Sequence, residues 1–159
     1  MTGFTHVDAE GAARMVDVTG KEISARTARA TGRVLLSPRV VAMLRDRTVP
    51  KGDVLAVARI AGITGAKRTP DLIPLCHPIA LHGVQVELTV VDSGVEISVT
   101  TRTADRTGVE MEALTAVAAA GLTVIDMVKA VDPSAVVTDV RVEQKTGGKR
   151  GDWVRGEGA

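Results

Sequence analysis

The chain has 159 residues, of which 45% are hydrophobic and 25% are charged, and its formal net charge is +1. This length favours one domain spanning residues 1–159, and the near-neutral charge argues against nucleic acid or a membrane surface as a partner. One cysteine cannot form an internal disulfide, no apolar run approaches the roughly 20 residues of a membrane span, and the N-terminus lacks a secretion signal, so we expect a cytoplasmic protein.

The first predicted elements follow a polar stretch. Residues 1–30 are polar and weakly periodic, and partial mobility is expected there. Residues 31–37 predict a strand, and Ser37 is placed to cap the helix that follows. Apolar residues at helical spacing within 51–68 predict a second helix, with Asp53 capping its start.

The second half of the chain predicts a hairpin, a long helix and a last strand. Strict alternation of apolar residues over 83–91 and again over 95–103, with Asp-Ser-Gly between them, predicts two antiparallel strands. The alanine-rich stretch 108–131 is the longest helix signal, and 135–144 predicts a final strand. The helical spacing places one apolar face on seven residues: Leu114, Val117, Ala118, Gly121, Leu122, Ile125 and Val128. A basic, glycine-rich tail occupies 145–159.

The order strand, helices, strand, strand, helix, strand predicts the fold class. It matches an α+β, ferredoxin-like arrangement, in which an antiparallel four-stranded sheet carries its helices on one face. Such a sheet leaves its other face exposed, so we expect the protein to form oligomers.

The stretch DLIPLCHPI (Asp71–Ile79) places Cys76 and His77 side by side between two prolines. A metal site is disfavoured, because adjacent residues point in different directions and no second cysteine or suitably spaced histidine is present. An adjacent histidine is also poorly placed to activate a thiol, so Cys76 is interpreted as a small buried hydrophobe. For His77, a fixed proton donor or acceptor and a histidine bonded to a backbone carbonyl are both open.

Three charged residues of the long helix are candidates for chemistry. The helix macrodipole alone would explain Glu112. Asp126 and Lys129 are three residues apart in an otherwise apolar stretch, which favours partial desolvation over a solvated ion pair. Glu112 and Asp126 lie on roughly the same stripe but about 20 Å apart, so one small substrate within one subunit cannot touch both. Either the ligand is long, as a nucleoside triphosphate is, or subunits share the sites.

Cations cluster where a phosphate could bind. Lys51 opens the second predicted helix, and KTGGKRG combines glycines with Lys145, Lys149 and Arg150. Glycines allow backbone N–H groups to approach an anion that the cations neutralise. A phosphate-binding flap and a disordered basic tail are both open interpretations.

Four segments are spread along nearly the whole chain: MVDVTGKEISARTARATG, KGDVLAVARIAGITGAKRTPDLIPLCHPI, GVEMEALTAVAAAGLTVIDMVKAV and KTGGKRGD. They resemble the molybdenum-cofactor biosynthesis protein C family, and LIPLCHP and GVEMEALTA are the most specific strings. The resemblance implies a ferredoxin-like subunit in a hexamer, a trimer of dimers, with active sites at subunit interfaces. It implies a lyase that converts (8S)-3′,8-cyclo-7,8-dihydroguanosine 5′-triphosphate to cyclic pyranopterin monophosphate and pyrophosphate.

The same resemblance implies roles for individual residues. The catalytic acid matches Asp126, and essential lysines match Lys51 and Lys129. Lys145 resembles a residue that reaches toward a neighbouring subunit's site. Substrate contacts match five further residues: Leu75, Cys76, His77, Met111 and Glu112. No redox cofactor and no protein-held metal are implied, although Mg²⁺ could accompany the triphosphate.

These residues suit proton transfer and phosphate chemistry rather than metal or flavin chemistry. In this hypothesis, Asp126 and Lys129 move protons at the rearranging ring, while Lys51 and the tail lysines hold the triphosphate. His77 and Met111 would hold the base in a chain that has no tyrosine.

Two other classes of protein share the predicted fold. A non-catalytic ligand-binding module would need the pocket but no turnover, and an assay of substrate consumption separates it from an enzyme. An RNA-binding domain would stack bases on aromatic residues of the sheet. We reject it, because Phe4 and Trp153 both lie outside the predicted strands.

Overall fold

The computed structural model describes residues 5–156, which form an α+β fold around one antiparallel sheet. Four strands are long and a fifth has two residues: β1 (Ser24–Leu35), β2 (Gly83–Val91), β3 (Gly94–Asp105), β4 (Val136–Thr146) and β5 (Trp153–Val154). Their order is β2-β3-β1-β4-β5, and every pairing is antiparallel. The sheet has five strands where the sequence predicts four, because the chain beyond β4 folds back onto the free edge of that strand.

The described residues also form four helices: α1 (Pro38–Asp46), α2 (Val54–Lys67), α3 (Thr69–Leu72) and α4 (Glu110–Val128). Both predicted caps are confirmed. The Ser37 side chain accepts a hydrogen bond from the Val40 amide, and the Asp53 side chain accepts one from the Ala56 amide. Residues 73–82, which contain two prolines, form neither helix nor strand, as the prolines predict.

Strand β1 begins earlier than the sequence predicts. It starts at Ser24, within the stretch expected to be partly mobile. The residues that face the helices there are Ala28 and Ala30, which are 1% and 0% exposed. Because alanine is only weakly hydrophobic, its alternation with threonine and arginine does not stand out as the pattern of a half-buried strand.

The core lies between the sheet and the pair α2 and α4. It is aliphatic, as the composition requires, and Val34, Val99, Val117 and Val124 are fully buried in it. Gly32 allows the close approach of β1 to α4, because a Cβ at that position would lie 2.5 Å from the Val117 side chain. Each fully buried valine contributes about 1.5–3 kcal/mol.

The buried side of α4 differs from the predicted one. Val117 and Gly121 are buried as expected, but Leu122, assigned to the same face, is 62% exposed. Glu112 is only 3% exposed, whereas Asp126, on roughly the same stripe, is exposed, so burial changes along the helix as well as around it. The helix is apolar around most of its circumference, so its sequence does not determine which side is buried.

Two further features are the apolar character of α4 and the positions of the aromatic residues. By length and composition α4 could cross a membrane, but 56% of its most apolar window is buried inside the fold, as in the core helix of a soluble protein. Trp153, expected outside the strands, lies in β5. Phe4 lies outside the described residues.

Candidate functional site

A cationic cleft of about 760 Å³ opens between the N-terminal segment, the start of α4 and the loop that joins β4 to β5. Five cationic side chains line it: Lys21, Arg26, Lys145, Lys149 and Arg150. Among the described residues that line the cleft, Glu110 is the one acid. A concave site with this excess of positive charge suits an anionic ligand.

His77 lies in the wall of this cleft. Its Nε2 is 2.5 Å from the Val16 carbonyl oxygen. A carbonyl can only accept, so the ring donates to it through a proton on Nε2. The two interpretations of His77 are therefore compatible, because the ring is bonded to a backbone carbonyl and also lines the cleft.

Glu112 is buried beside the cysteine of the proline-rich segment. Burial raises the pKa of Glu112 to about 7, its own backbone amide opposes the rise, and the charge of Glu110 adds to it. Burial, followed by the negative charge of Glu112, raises the pKa of the Cys76 thiol. At neutral pH Cys76 is therefore a neutral thiol and a poor nucleophile, whereas Glu112 exchanges its proton.

A second cluster lies at the other end of α4. Lys129 Nζ donates to Asp126 Oδ1 at 2.7 Å, and Lys51 Nζ lies 3.3 Å from Asp126 Oδ2 and 2.8 Å from the Asp126 carbonyl oxygen. Hydrogen bonds from Lys129 and from Lys51, followed by the charges of the same lysines, lower the pKa of Asp126. The Asp126 carboxylate is thus ionised at neutral pH and holds two ammonium groups together.

The expected desolvation of this second cluster is wrong for the single chain. The side chains of Asp126 and Lys129 are each 58% exposed, and that of Lys51 is 45% exposed. Asp126 and Lys129 lie on the outward side of the end of α4, and Lys51 lies in the turn before α2, and no helix or strand of the described chain covers the cluster.

The predicted site residues therefore form two groups. Leu75 is half-buried in the proline-rich segment, and Met111 is 37% exposed on the first turn of α4. Six predicted residues lie in or near the start of α4: Leu75, Cys76, His77, Met111, Glu112 and Lys145. The other three, Lys51, Asp126 and Lys129, lie together at the end of α4. About 20 Å of helix separates the two groups, so a single chain does not bring them together.

Sequence reasoning missed two cations of the cleft, Lys21 and Arg26. Both lie within residues 1–30, whose sequence pattern is only polar and weakly periodic. The turn signal Thr19-Gly20, which directly precedes Lys21, was the available clue. Arg26 donates through Nε to the Asp105 carbonyl and through Nη2 to the Arg106 carbonyl. Within residues 5–156, no group of three or more His, Cys, Asp or Glu side chains is placed to hold a metal ion.

Comparison with known proteins identifies relatives over nearly the whole chain. The cyclic pyranopterin monophosphate synthase of Streptomyces coelicolor is 72% identical over 152 residues, which cover 96% of this chain and 89% of that protein. The proteins of the same name from Nocardioides sp. and Corynebacterium glutamicum are 66% and 56% identical, over 96% of this chain and 95% and 98% of their own lengths. The model of the MoaC family matches residues 15–148, which contain both groups of site residues, and this chain therefore belongs to the MoaC family.

Proposed function

We propose that this chain is a lyase of molybdenum cofactor biosynthesis. It converts (8S)-3′,8-cyclo-7,8-dihydroguanosine 5′-triphosphate to cyclic pyranopterin monophosphate and pyrophosphate. The observation that carries the proposal is the 72% identity, over 96% of the chain, with a protein named cyclic pyranopterin monophosphate synthase. The charges of the two residue groups suit the phosphate and proton-transfer steps that this reaction requires.

The cationic cleft would bind the triphosphate of the substrate. Closing the cyclic phosphate forms a bond from a sugar oxygen to the α-phosphorus and breaks the bond from that phosphorus to the departing pyrophosphate. Negative charge grows on the pyrophosphate during this step. Cations that already line the cleft would stabilise that charge, and Lys145 among them, which lies 3.6 Å from Glu110 Oε1, would exchange this partner for the phosphate.

Proton transfers would be divided between the two groups of site residues. The Asp126 carboxylate carries no proton at neutral pH, so in this state it accepts protons or positions Lys51 and Lys129, and the ammonium groups are the donors. Glu112, with a pKa of about 7, can both give and take a proton at the working pH. His77, oriented by the Val16 carbonyl, would hold the base together with Leu75, Cys76 and Met111.

Assembly of several copies would complete the site. We propose a homohexamer, a trimer of dimers, in which a second copy covers the outward side of α4. The exposed Met111, Leu122, Asp126 and Lys129 all lie on that side, with the half-exposed Ala118 between them. A second copy in this place would remove the second cluster from water, which strengthens its electrostatic interactions.

The proposal also includes expectations about the fold type, the cellular location, the partners and the cofactors of the protein. The four longer strands, in the order β2-β3-β1-β4 with helices α2 and α4 on one face, would make the fold ferredoxin-like. The protein would work in the cytoplasm without a nucleic-acid or membrane partner. It would hold no cofactor of its own, and Mg²⁺ would arrive, if at all, with the substrate triphosphate.

The decisive experiment is a turnover assay on the full chain with the cyclic dihydroguanosine triphosphate. One pyrophosphate should be released for each cyclic pyranopterin monophosphate formed, and sedimentation should show the assembled state at the same concentration. Saturable binding without turnover by the assembled protein would instead make it a ligand-binding module.

A further inference from the structure

The chain beyond the end of the family match contributes to the cationic cleft. The family match ends at residue 148, and the loop Gly147–Asp152 joins β4 to β5. Two cations of this loop, Lys149 and Arg150, line the cleft together with Lys145. The segment interpreted as either a flap or a disordered tail is thus the turn of a β-hairpin.

The shape of this loop depends on two glycines and one carboxylate. Gly147 and Gly148 have φ values of 85° and 81°, a conformation that residues with a Cβ rarely adopt. A Cβ on Gly147 would lie 2.2 Å from the Ala25 carbonyl oxygen, and one on Gly148 would lie 2.1 Å from Arg26 Nη1. The Asp152 side chain closes the loop by accepting a hydrogen bond from the Gly147 amide at 3.0 Å.

Residues 153–155, which we call the strap, hold the loop in place. Strand β5 within the strap pairs with residues 144–145 of β4. The Arg155 amide donates to the Glu143 carbonyl at 2.8 Å, and its Nε donates to the Val142 carbonyl at 2.7 Å. The Arg155 guanidinium also lies 5.5 Å from the ring centre of Trp153. The loop is therefore tied to the sheet on both sides.

We propose that the strap is a positioning element that keeps the Gly147–Asp152 loop ready to bind the terminal phosphates of a polyphosphate, with Lys149 and Arg150 supplying the charge. Two cations on a tethered loop bind an anion more tightly than the same cations on a free tail, because little ordering is left to occur on binding. The identification of the polyphosphate as the tail of the substrate rests on the proposed function.

Inorganic pyrophosphate is the probe for the charge of the loop. Its Kd for the full chain would be measured by calorimetry at fixed ionic strength. Lys149→Gln and Arg150→Gln should each raise that Kd about three- to tenfold, as expected for a partly screened, charge-assisted phosphate contact. Arg39→Gln is the matched control, because Arg39 is an exposed cation of α1 that does not line the cleft.

Two variants, one in the loop and one in the strap, test how the loop is held without changing the cations that line the cleft. Asp152→Ala removes the acceptor that closes the loop, and Arg155→Ala removes the side-chain hydrogen bond to the Val142 carbonyl while the backbone pairing of β5 remains. Each should raise the Kd for pyrophosphate about three- to tenfold and raise KM for the triphosphate by a similar factor, with a smaller effect on kcat. Trp153, the one tryptophan of the chain, should change its fluorescence during the same titration.

The outcomes separate this inference from the proposed function. A Kd for pyrophosphate that matches the Arg39→Gln control in Asp152→Ala and Arg155→Ala, or in Lys149→Gln and Arg150→Gln, would overturn the inference, even if the wild-type chain turns over its substrate. Conversely, a wild-type chain that shows the predicted pattern of Kd values but no turnover would refute the proposed lyase and leave the phosphate-binding loop in place.

Discussion

Each end of α4 carries a carboxyl group, and the pKa values of the two groups shift in opposite directions. At its start, Glu112 is 3% exposed and burial raises its pKa to about 7. At its end, Asp126 is exposed, and hydrogen bonds from Lys129 and Lys51 lower its pKa. Desolvation dominates at one end and cationic hydrogen bonds dominate at the other. One helix thus carries an acid that exchanges its proton near neutral pH and an acid that stays ionised.

The largest effect is expected from Asp126→Asn. The amide cannot hold two ammonium groups by charge or accept a proton, so kcat should fall by about 10²–10⁴-fold, while assembly should be unchanged. Turnover and sedimentation would be measured on the same preparation. Asp92→Asn is the control, because Asp92 is a surface aspartate that also pairs with a cation, Arg45. An assembled, fully active Asp126→Asn protein would remove this end of α4 from the mechanism.

A smaller loss is expected from Lys51→Arg. Arginine keeps the positive charge and can still bond to Asp126, but it does not release its proton. If Lys51 transfers protons, kcat should fall by about 10–100-fold, measured at saturating substrate. Lys67→Arg, at an exposed position of α2, should show wild-type kcat. Wild-type kcat in Lys51→Arg would reduce Lys51 to an electrostatic role.

Glu112→Gln tests the other end of α4 through stability as well as rate. With a raised pKa, the folded wild type binds more protons than the unfolded chain between about pH 4.5 and pH 7, so its stability falls as pH rises through that window. Glutamine has no charge to bury. The variant should therefore match the wild type near pH 4 and exceed its free energy of unfolding by up to about 3 kcal/mol above pH 7.

Denaturation at several pH values would measure this difference, with the exposed Glu22→Gln as the control. The kcat profile of Glu112→Gln should also lose the limb that titrates near pH 7 in the wild type. A stability difference that does not change with pH would contradict the buried, titrating state of Glu112.

The smallest effect is expected from Cys76→Ala. Its thiol is neutral at physiological pH, because burial and the neighbouring Glu112 raise its pKa. Loss of the thiol should therefore leave kcat within about threefold of the wild type, if Cys76 acts through its backbone and its packing. A collapse of kcat in a protein with an unchanged circular dichroism spectrum would show that the thiol takes part in the reaction.

Much of the fold could be predicted because its signals are local. The caps at Ser37 and Asp53 and the β2–β3 hairpin each depend on a few neighbouring residues, and the structure confirms them. The start of β1 was missed because alanines form its buried side. Strand β5 was missed because two residues carry no periodicity. The pairing of β5 depends on the free edge of β4, which no local pattern describes.

The candidate site was less predictable for a different reason. The spacing of Asp126 and Lys129 predicts that they meet, but the approach of Lys51 crosses 75 residues of chain. Lys21 and Arg26 reach the cleft only because β1 and the N-terminal segment lie beside the start of α4. Contacts of this kind depend on the tertiary fold.

Residue order alone determined most of the helices and strands and the family that the motifs resemble, because caps, alternation and motif strings act between near neighbours. Tertiary structure decided which side of α4 is buried, and with it the opposite pKa shifts of Glu112 and Asp126. The physical reason is that a carboxyl group responds to the water and the charges around it. Lys129 is a near neighbour of Asp126, but the burial of Glu112 and the approach of Lys51 to Asp126 depend on distant parts of the chain.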